Sequence, residues 1–115
     1  MNMTKIKKSI GLTTEPLDIL LEKKEVIDIR LNEPMWADLQ VGDFIEFVED
    51  PSEARRIKVE ILGLPTYRSF EDLYDANESY FAETKDELLT HLYRWWTKDE
   101  EKKYGVLGIK VRLIK

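Results

Sequence analysis

The sequence predicts an α+β fold built on a largely antiparallel sheet, and three observations support this prediction. Four separate stretches alternate apolar and polar residues, which is typical of strands with one buried face. Two of these stretches are joined by a short polar loop and indicate a hairpin. Other segments repeat leucines or aromatic residues at helical spacing. A length of 115 residues favours a single domain spanning 1–115.

The first elements are a strand and a helix. Residues 6–12 predict a short strand with Ile10 and Leu12 facing the core. Pro16 follows, and proline fits the first turn of a helix because its missing N–H would have no partner there. A helix is therefore predicted over residues 16–23. Its buried stripe would consist of Leu17, Leu20 and Leu21.

Residues 26–31 predict the second strand, and the candidate functional residues lie on this strand or just before it. Successive side chains of a strand point to opposite faces. The core face would carry Ile27, Ile29 and Leu31. The other face would carry Asp28 and Arg30, an acid and a base two residues apart.

This pair admits two interpretations. The planar fork of Arg30 can hold an anionic or carbonyl group while Asp28 orients the ligand or accepts a proton. The same two residues can equally form a solvent-facing ion pair that contributes about 0–1 kcal/mol. Lys24 is similarly ambiguous. Beside a pocket it could act as a base or a nucleophile, but at a helix C-terminus it would simply complement the helix dipole.

The middle of the chain predicts a short helical turn and the hairpin. Residues 35–39 form a single turn that lays Trp36 and Leu39 over one end of the sheet. Residues 44–48 and 56–62 are the two strands of the hairpin, separated by a polar turn.

The last third of the chain predicts two helical regions and a closing strand. Ser69 can cap the first helix. Thr84 and Glu87 match a capping box, which predicts a helix over about 85–96 that continues or restarts afterwards. Residues 106–114 alternate again and form the closing strand. The sheet residues predicted to be buried are Ile27, Ile29, Phe47, Ile57, Val59, Ile109 and Val111.

Tryptophans and the single histidine mark a second region of interest. Trp95 and Trp96, with Tyr93, could stack on nucleobases. At helical spacing with two leucines, however, at least one tryptophan is expected in the core. His91 has no clustered partners in the sequence and is expected at the surface.

Composition and charge narrow the classes of function. There is no cysteine and one histidine, which excludes disulfides, thiolate metal sites and multi-histidine centres. We expect no metal and no cofactor. No apolar stretch is long enough to cross a bilayer, so a cytoplasmic protein with no membrane partner is expected.

The net charge of −5 disfavours a nucleic-acid partner at first sight. The acids are unevenly distributed, however. Residues 71–87 hold seven acids against Lys85, a local charge of −6, so the remainder of the chain carries +1. A neutral or mildly basic face is therefore compatible with RNA.

Several sequence runs together suggest a family. The runs are KKEVIDIRLNE, QVGDFIEF, RRIKVEILGLPTYRSFEDLY and KKYGVLGIKVRLI. In this order, over nearly the whole chain, they resemble the small ASCH-domain proteins of the PUA-like superfamily. The resemblance implies a small, mostly antiparallel β-barrel with helices packed around its ends. It also implies a cleft beside the acid-x-Arg strand.

The family signature, GxKxxExR, is matched in part. Asp28 and Arg30 stand for its acid and its arginine. Without a gap, the signature lysine falls on Glu25 and the glycine on Lys23, whereas a one-residue bulge brings Lys24 into the lysine position. Some family members deacetylate N4-acetylcytidine and others are reported as ribonucleases, and both activities depend on that lysine. The deacetylating members have a threonine where Asp28 stands.

Three hypotheses follow. The leading one is a module that binds RNA, a modified nucleoside or a nucleotide-like small molecule through Arg30, Asp28 and Lys24. The second is a small hydrolase in which Lys24 and Asp28 are catalytic. The third is an interaction domain whose acidic segment, 71–87, binds a basic protein. The oligomeric state is not predicted.

Overall fold

A computed structural model of the protein describes residues 5–114. The strands are β1 (Ile6–Thr13), β2 (Glu25–Leu31), β3 (Phe44–Asp50), β4 (Arg56–Gly63), β5 (Thr66–Tyr67) and β6 (Val106–Leu113). The α-helices are α1 (Thr14–Lys23), α2 (Phe70–Ala76), α3 (Lys85–Leu92) and α4 (Lys98–Tyr104). Single 3₁₀ turns span Pro34–Trp36 and Glu78–Tyr80.

The strands form one six-stranded sheet in the order β1-β3-β4-β6-β2, with β5 paired to β6. The pair β1–β3 is parallel, whereas β3–β4, β4–β6 and β5–β6 are antiparallel. Two backbone bonds fix the direction of β2 against β6: Leu113 N donates to Lys24 O (2.7 Å), and Asn32 N donates to Gly105 O (3.0 Å). This pair is therefore antiparallel as well. The mostly antiparallel sheet with four helices confirms the predicted α+β class and fits a PUA-like fold.

The chain divides into two compact units. The first contains the chain up to Asp28, residues 38–64 and the chain from Ile109 onward. Helix α1 packs on β1 and β3, because two of its leucines point inward from successive turns. The fully buried residues of this unit are Leu17, Leu20, Ile45, Phe47, Val59, Ile61, Ile109 and Val111.

The second unit contains residues 29–37 and 65–108. Its core consists of Leu31, Phe70, Leu73, Tyr74, Leu88, Leu92 and Val106. Aromatic rings complete this core: Trp96 stacks on Phe70 and Tyr93 meets it edge-on, both with centroids 5.7 Å apart. The single domain expected from the length of the chain stays a prediction.

Burial along the sheet follows the prediction in part. Phe47, Val59, Ile109 and Val111 are fully buried as predicted. The predicted burial of Ile27, Ile29 and Ile57 is wrong, since all three are half-buried. Along β2 every residue from 26 to 30 is half-buried, so neither face of this terminal strand is a full core face. Ile57 lies where β4 leaves the exposed turn of the hairpin.

The predicted helix over 85–96 is too long, because α3 ends at Leu92 and α4 begins at Lys98. A second capping box starts α4. Thr97 Oγ1 accepts from the backbone N of Glu100 (3.1 Å), and the Glu100 carboxylate accepts from the backbone N of Thr97 (2.9 Å). The tetrapeptide Thr-Lys-Asp-Glu occurs at 84–87 and again at 97–100, and each copy starts a helix.

Two phenylalanines of β3 test this packing. Phe47 is fully buried and Phe44 is half-buried. Phe47→Ala should lower the free energy of unfolding by about 3–5 kcal/mol, because it removes burial and leaves a cavity. Phe44→Ala removes the same atoms from a half-exposed position and should cost clearly less. Urea denaturation measures both variants, and equal losses would contradict the assignment of Phe47 to the core.

Candidate functional site

Lys24 lies between α1 and β2 and not within the strand. It caps the C-terminus of α1 in the left-handed conformation (φ 69°), and its backbone N donates to Leu20 O at 2.7 Å. This conformation turns the chain directly from the helix into β2. The Lys24 side chain is exposed, as is Glu25 at the start of the strand. The two residues considered for the lysine of the GxKxxExR signature, Lys24 and Glu25, therefore both lie at the entrance to β2.

Asp28 and Arg30 are alternate residues of β2, and each is half-buried. Asp28 belongs to the first unit and Arg30 to the second. The structure brings Arg30 against a residue that the sequence analysis assigned only to packing. The guanidinium carbon of Arg30 lies 5.7 Å from the ring centroid of Trp36. Trp36 ends the 3₁₀ turn that follows β2 and is 7% exposed.

The contact between Arg30 and Trp36 restricts the arginine. A cation over an indole face is attracted by the ring electrons, and a guanidinium in this position loses part of its rotational freedom. Its N–H groups lie in the guanidinium plane and can hydrogen-bond carbonyl or phosphate oxygens. This arrangement is suited to recognising a planar or anionic ligand. The sequence shows a tryptophan shortly after the strand, but the spacing of Trp36 from Arg30 does not predict that the two side chains are in contact.

A second polar centre surrounds Glu49 at the end of β3. The Glu49 carboxylate is 7% exposed and accepts hydrogen bonds from Arg55 (Nη2, 2.8 Å), Thr14 (Oγ1, 2.8 Å) and Ser52 (Oγ, 3.2 Å). Arg55 also donates to Asp18 at 2.8 Å. The Arg55 bond, followed by the Thr14 bond, lowers the pKa of Glu49 to about 2.

The same contacts raise the pKa of Arg55 above its usual range, first through Glu49 and then through Asp18. A carboxylate with so low a pKa is a poor proton acceptor near neutral pH. We therefore assign the Glu49 centre a structural role: its hydrogen bonds hold α1, the end of β3 and the hairpin turn together. The sequence contains no local signal for this centre, because its members lie far apart in the chain.

A third polar centre surrounds Glu101 on α4. Its carboxylate is 6% exposed and accepts from the backbone N of Phe70 (2.6 Å) and from the Tyr93 hydroxyl (2.7 Å). Burial, and then the hydrogen bond to Glu101, raise the pKa of Tyr93 to about 12. The Tyr93 hydroxyl therefore keeps its proton and donates it in the hydrogen bond to Glu101 within the second unit.

The aromatic residues after α3 do not share one exposed surface. Tyr93 and Trp96 are half-buried against Phe70, whereas Trp95 is 62% exposed. The stacking surface considered for Trp95, Trp96 and Tyr93 is therefore reduced to Trp95. Neither tryptophan of the pair is fully buried.

The outer side of α3 carries a shallow, open depression lined by Asp86, Glu87, Thr90, His91 and Arg94. His91 is exposed here, as predicted. Within residues 5–114, no group of three or more histidine or acidic side chains is arranged to hold a metal ion. None of the helices in that range is long and apolar enough to span a membrane.

The solved structures similar to this chain include the following two. One is a crystal structure of a hypothetical protein, PH0355, with 22% sequence identity and a TM-score of 0.78; the match covers 93% of this chain and 98% of that one. The other is a solution NMR structure of protein PF0455 from Pyrococcus furiosus, with 26% identity and a TM-score of 0.70, covering 94% and 98%. Both are similar in fold over almost their whole length, and neither name states a function. No protein-family model and no curated protein sequence matches the chain.

The low pKa of Glu49 predicts how stability depends on pH. Its folded-state pKa of about 2 lies below the ordinary value of 4.5, so its contribution is present above 4.5 and is lost as the pH falls toward 2. Glu49→Gln cannot titrate. The difference in urea midpoint between wild type and this variant should therefore shrink on going from neutral pH to about pH 2.

The exposed Glu22→Gln on α1 serves as the control and should show no such change. A difference between wild type and Glu49→Gln that stays constant over this range would exclude a pKa-dependent role of Glu49.

Proposed function

We propose that the protein binds RNA or a modified nucleoside through Arg30, with Asp28 and Lys24 as further contacts to the ligand. The observation that carries this proposal is the guanidinium of Arg30 held 5.7 Å from the Trp36 ring centroid. An arginine supported in this way makes directed hydrogen bonds at a smaller entropic cost than a mobile one.

The chemistry of the pair suits a nucleobase edge. A base presents carbonyl or ring-nitrogen acceptors next to amino or imino donors. Arg30 can donate to the acceptors, and Asp28 can accept from a donor two strand positions away. Lys24, exposed just before the strand, can contact a phosphate or a ribose hydroxyl. Together the three residues would recognise a base and bind the sugar or phosphate attached to it.

Three further considerations support the proposal. The α+β fold fits a PUA-like domain. The resemblance of the sequence to ASCH-domain proteins associates the acid-x-Arg strand with a ligand cleft, and membership of that family is part of the same proposal. The charge distribution is also compatible, since the acids concentrate in 71–87 and leave +1 on the rest of the chain, whose total is −5.

Arg30→Met tests the contact. We expect ligand-observed NMR with a panel of nucleosides, including N4-acetylcytidine, and short RNAs to identify a ligand. A charged hydrogen bond contributes about 1.5–3 kcal/mol, so Arg30→Met should weaken binding by roughly tenfold or more. Methionine can still pack on Trp36, and circular dichroism should confirm an unchanged fold.

Arg112→Met is the matched control. Arg112 is an exposed arginine of β6 that donates to Glu60 at 2.6 Å, so its replacement removes the same charge from a different strand. This variant should bind nearly as well as wild type. Equal weakening by both variants would indicate diffuse charge, and wild-type affinity for Arg30→Met would reject the site.

Lys24→Met separates binding from hydrolysis. In a binding module, the loss of one peripheral cation should lower affinity only modestly. In a hydrolase that relies on Lys24, the variant should retain the ligand and lose turnover. Turnover of the bound nucleoside or RNA by wild type, followed over time by NMR, decides between the two outcomes.

A further inference from the structure

Helix α1 packs on one face of the sheet in the first unit and leaves the opposite face open. Thr14 at the start of α1 donates to Glu49, so α1 lies on the face that carries the odd-numbered residues of β3. We call the opposite face the outer face. It consists of the even-numbered positions 44–48 of β3, 56–62 of β4 and 110–112 of β6, and all of these are exposed or half-buried.

The two acids of the outer face are engaged by arginines. Glu46 accepts from Arg56 at 2.9 Å, and Glu60 accepts from Arg112 at 2.6 Å. Each bond joins neighbouring strands, which shows that the four side chains stand on the same face. The remaining charges of the outer face are those of its lysines, and neither acid is paired with a lysine.

Three lysines lie around the end of β6. On the side of β2, Leu113 N donates to Lys24 O at 2.7 Å, and on the side of β4, Ile114 N donates to Lys58 O at 3.1 Å. Lys110 stands earlier on β6 itself, about 10 Å along the strand from Leu113. We call Lys24, Lys58 and Lys110 the lysine track. Within residues 5–114, none of the three forms an ion pair.

The chemistry of the lysine track fits a phosphate backbone. Lysines hold nucleic acids chiefly through phosphate groups, and these contacts are independent of the base sequence. Lys24 is already the contact to a phosphate or ribose in the proposed function. Lys58 and Lys110 continue from Lys24 within the same compact unit, although the whole chain carries −5. A ligand bound beside Lys24 therefore meets further cations only if it has more than one phosphate.

We propose that the lysine track binds the phosphate backbone of an RNA strand whose base occupies the site at Arg30. This inference rests on the proposed function and narrows it, because it makes the ligand an RNA strand and not a free nucleoside. The strand passes from Lys24 around the end of β6 to Lys58 and Lys110. Arg56 and Arg112 are not part of the track, because Glu46 and Glu60 hold them.

The experiment compares an RNA strand with free nucleosides. A fluorescein-labelled single-stranded RNA of mixed sequence is titrated by fluorescence anisotropy at several salt concentrations, and cytidine and N4-acetylcytidine are titrated by ligand-observed NMR. We expect the wild-type protein to bind the RNA more tightly than either nucleoside. This advantage should shrink as salt rises, because the release of counterions drives the phosphate contacts.

The double variant Lys58→Met/Lys110→Met removes two cations of the track and leaves Lys24 and Arg30 in place. It should weaken RNA binding by roughly tenfold or more at low salt. The slope of log affinity against log salt should fall in magnitude by about 1.4, since each phosphate contact to a single strand contributes about 0.7. The affinity for the nucleosides should equal that of the wild type.

Lys102→Met/Lys103→Met is the matched control. Both lysines are exposed on α4, in the second unit, so this variant makes the same change in net charge outside the track. It should leave RNA affinity within about twofold of the wild type. Circular dichroism checks that both double variants are folded. A labelled glutamate peptide is titrated in parallel and should show no saturable binding at salt concentrations where the RNA binds.

Four results would overturn the proposal. RNA that binds no more tightly than the nucleosides would exclude a backbone track. An unchanged salt slope in Lys58→Met/Lys110→Met would do the same, and if Arg30→Met still weakened RNA and nucleoside binding, the proposed function would stand without the track. Equal losses in the two double variants would mean that only net charge matters. Glutamate-peptide binding that depends on the track would assign it to acidic proteins.

Failure of the proposed function has a different signature. RNA binding that is lost in Lys58→Met/Lys110→Met and unaffected by Arg30→Met would reject the base contact at Arg30. The track would then bind RNA through its backbone alone.

Discussion

The hydrogen bonding of β6 is the constraint on which the sheet depends. This strand pairs with β4 and then β5 along one edge, and with β2 along the other. Residues 106–109 are buried without interruption, so both faces of this part of the strand are covered. Backbone groups in such a place must be paired within the protein, because an unpaired buried N–H or C=O costs about 1–3 kcal/mol. The backbone groups of β6 on one edge find their partners in β2, and this pairing sets the position of β2 and of Arg30 on it.

Much of the fold could be predicted because its signals are local. The alternation of β3 and β4, the hairpin between them and the capping box at Thr84 each depend on neighbouring residues, and each appears in the structure. The burial of Ile27, Ile29 and Ile57 depends instead on what covers a strand, and alternation does not contain that information. The second Thr-Lys-Asp-Glu, at 97–100, indicates that a new helix starts there. The aromatic residues among 93–96 continue the helical spacing of α3, however, and this spacing predicted one longer helix.

The candidate site could be predicted only as far as one strand. Asp28 and Arg30 were identified from their spacing on β2, and whether they bind a ligand rests on the proposed experiments. The contact of Arg30 with Trp36 depends on how the chain turns after Leu31, which no periodic pattern describes. The Glu49 centre joins residues that are up to 37 positions apart, as Asp18 and Arg55 are. Such contacts are products of the tertiary structure, and one sequence does not contain a local signal for them.

The division into two units has a consequence for synthesis of the chain. The units alternate along the sequence, so that neither is a continuous segment. The second unit is complete once Gly108 has been added, whereas the first, which starts earlier, still lacks the part of the chain that begins at Ile109. During translation β2 therefore waits for its sheet partner β6, the last strand of the described chain, and long-range closure of this kind slows folding relative to helical proteins. No simple truncation can isolate either unit, so a shortened version of the first would require new linkers between its three segments.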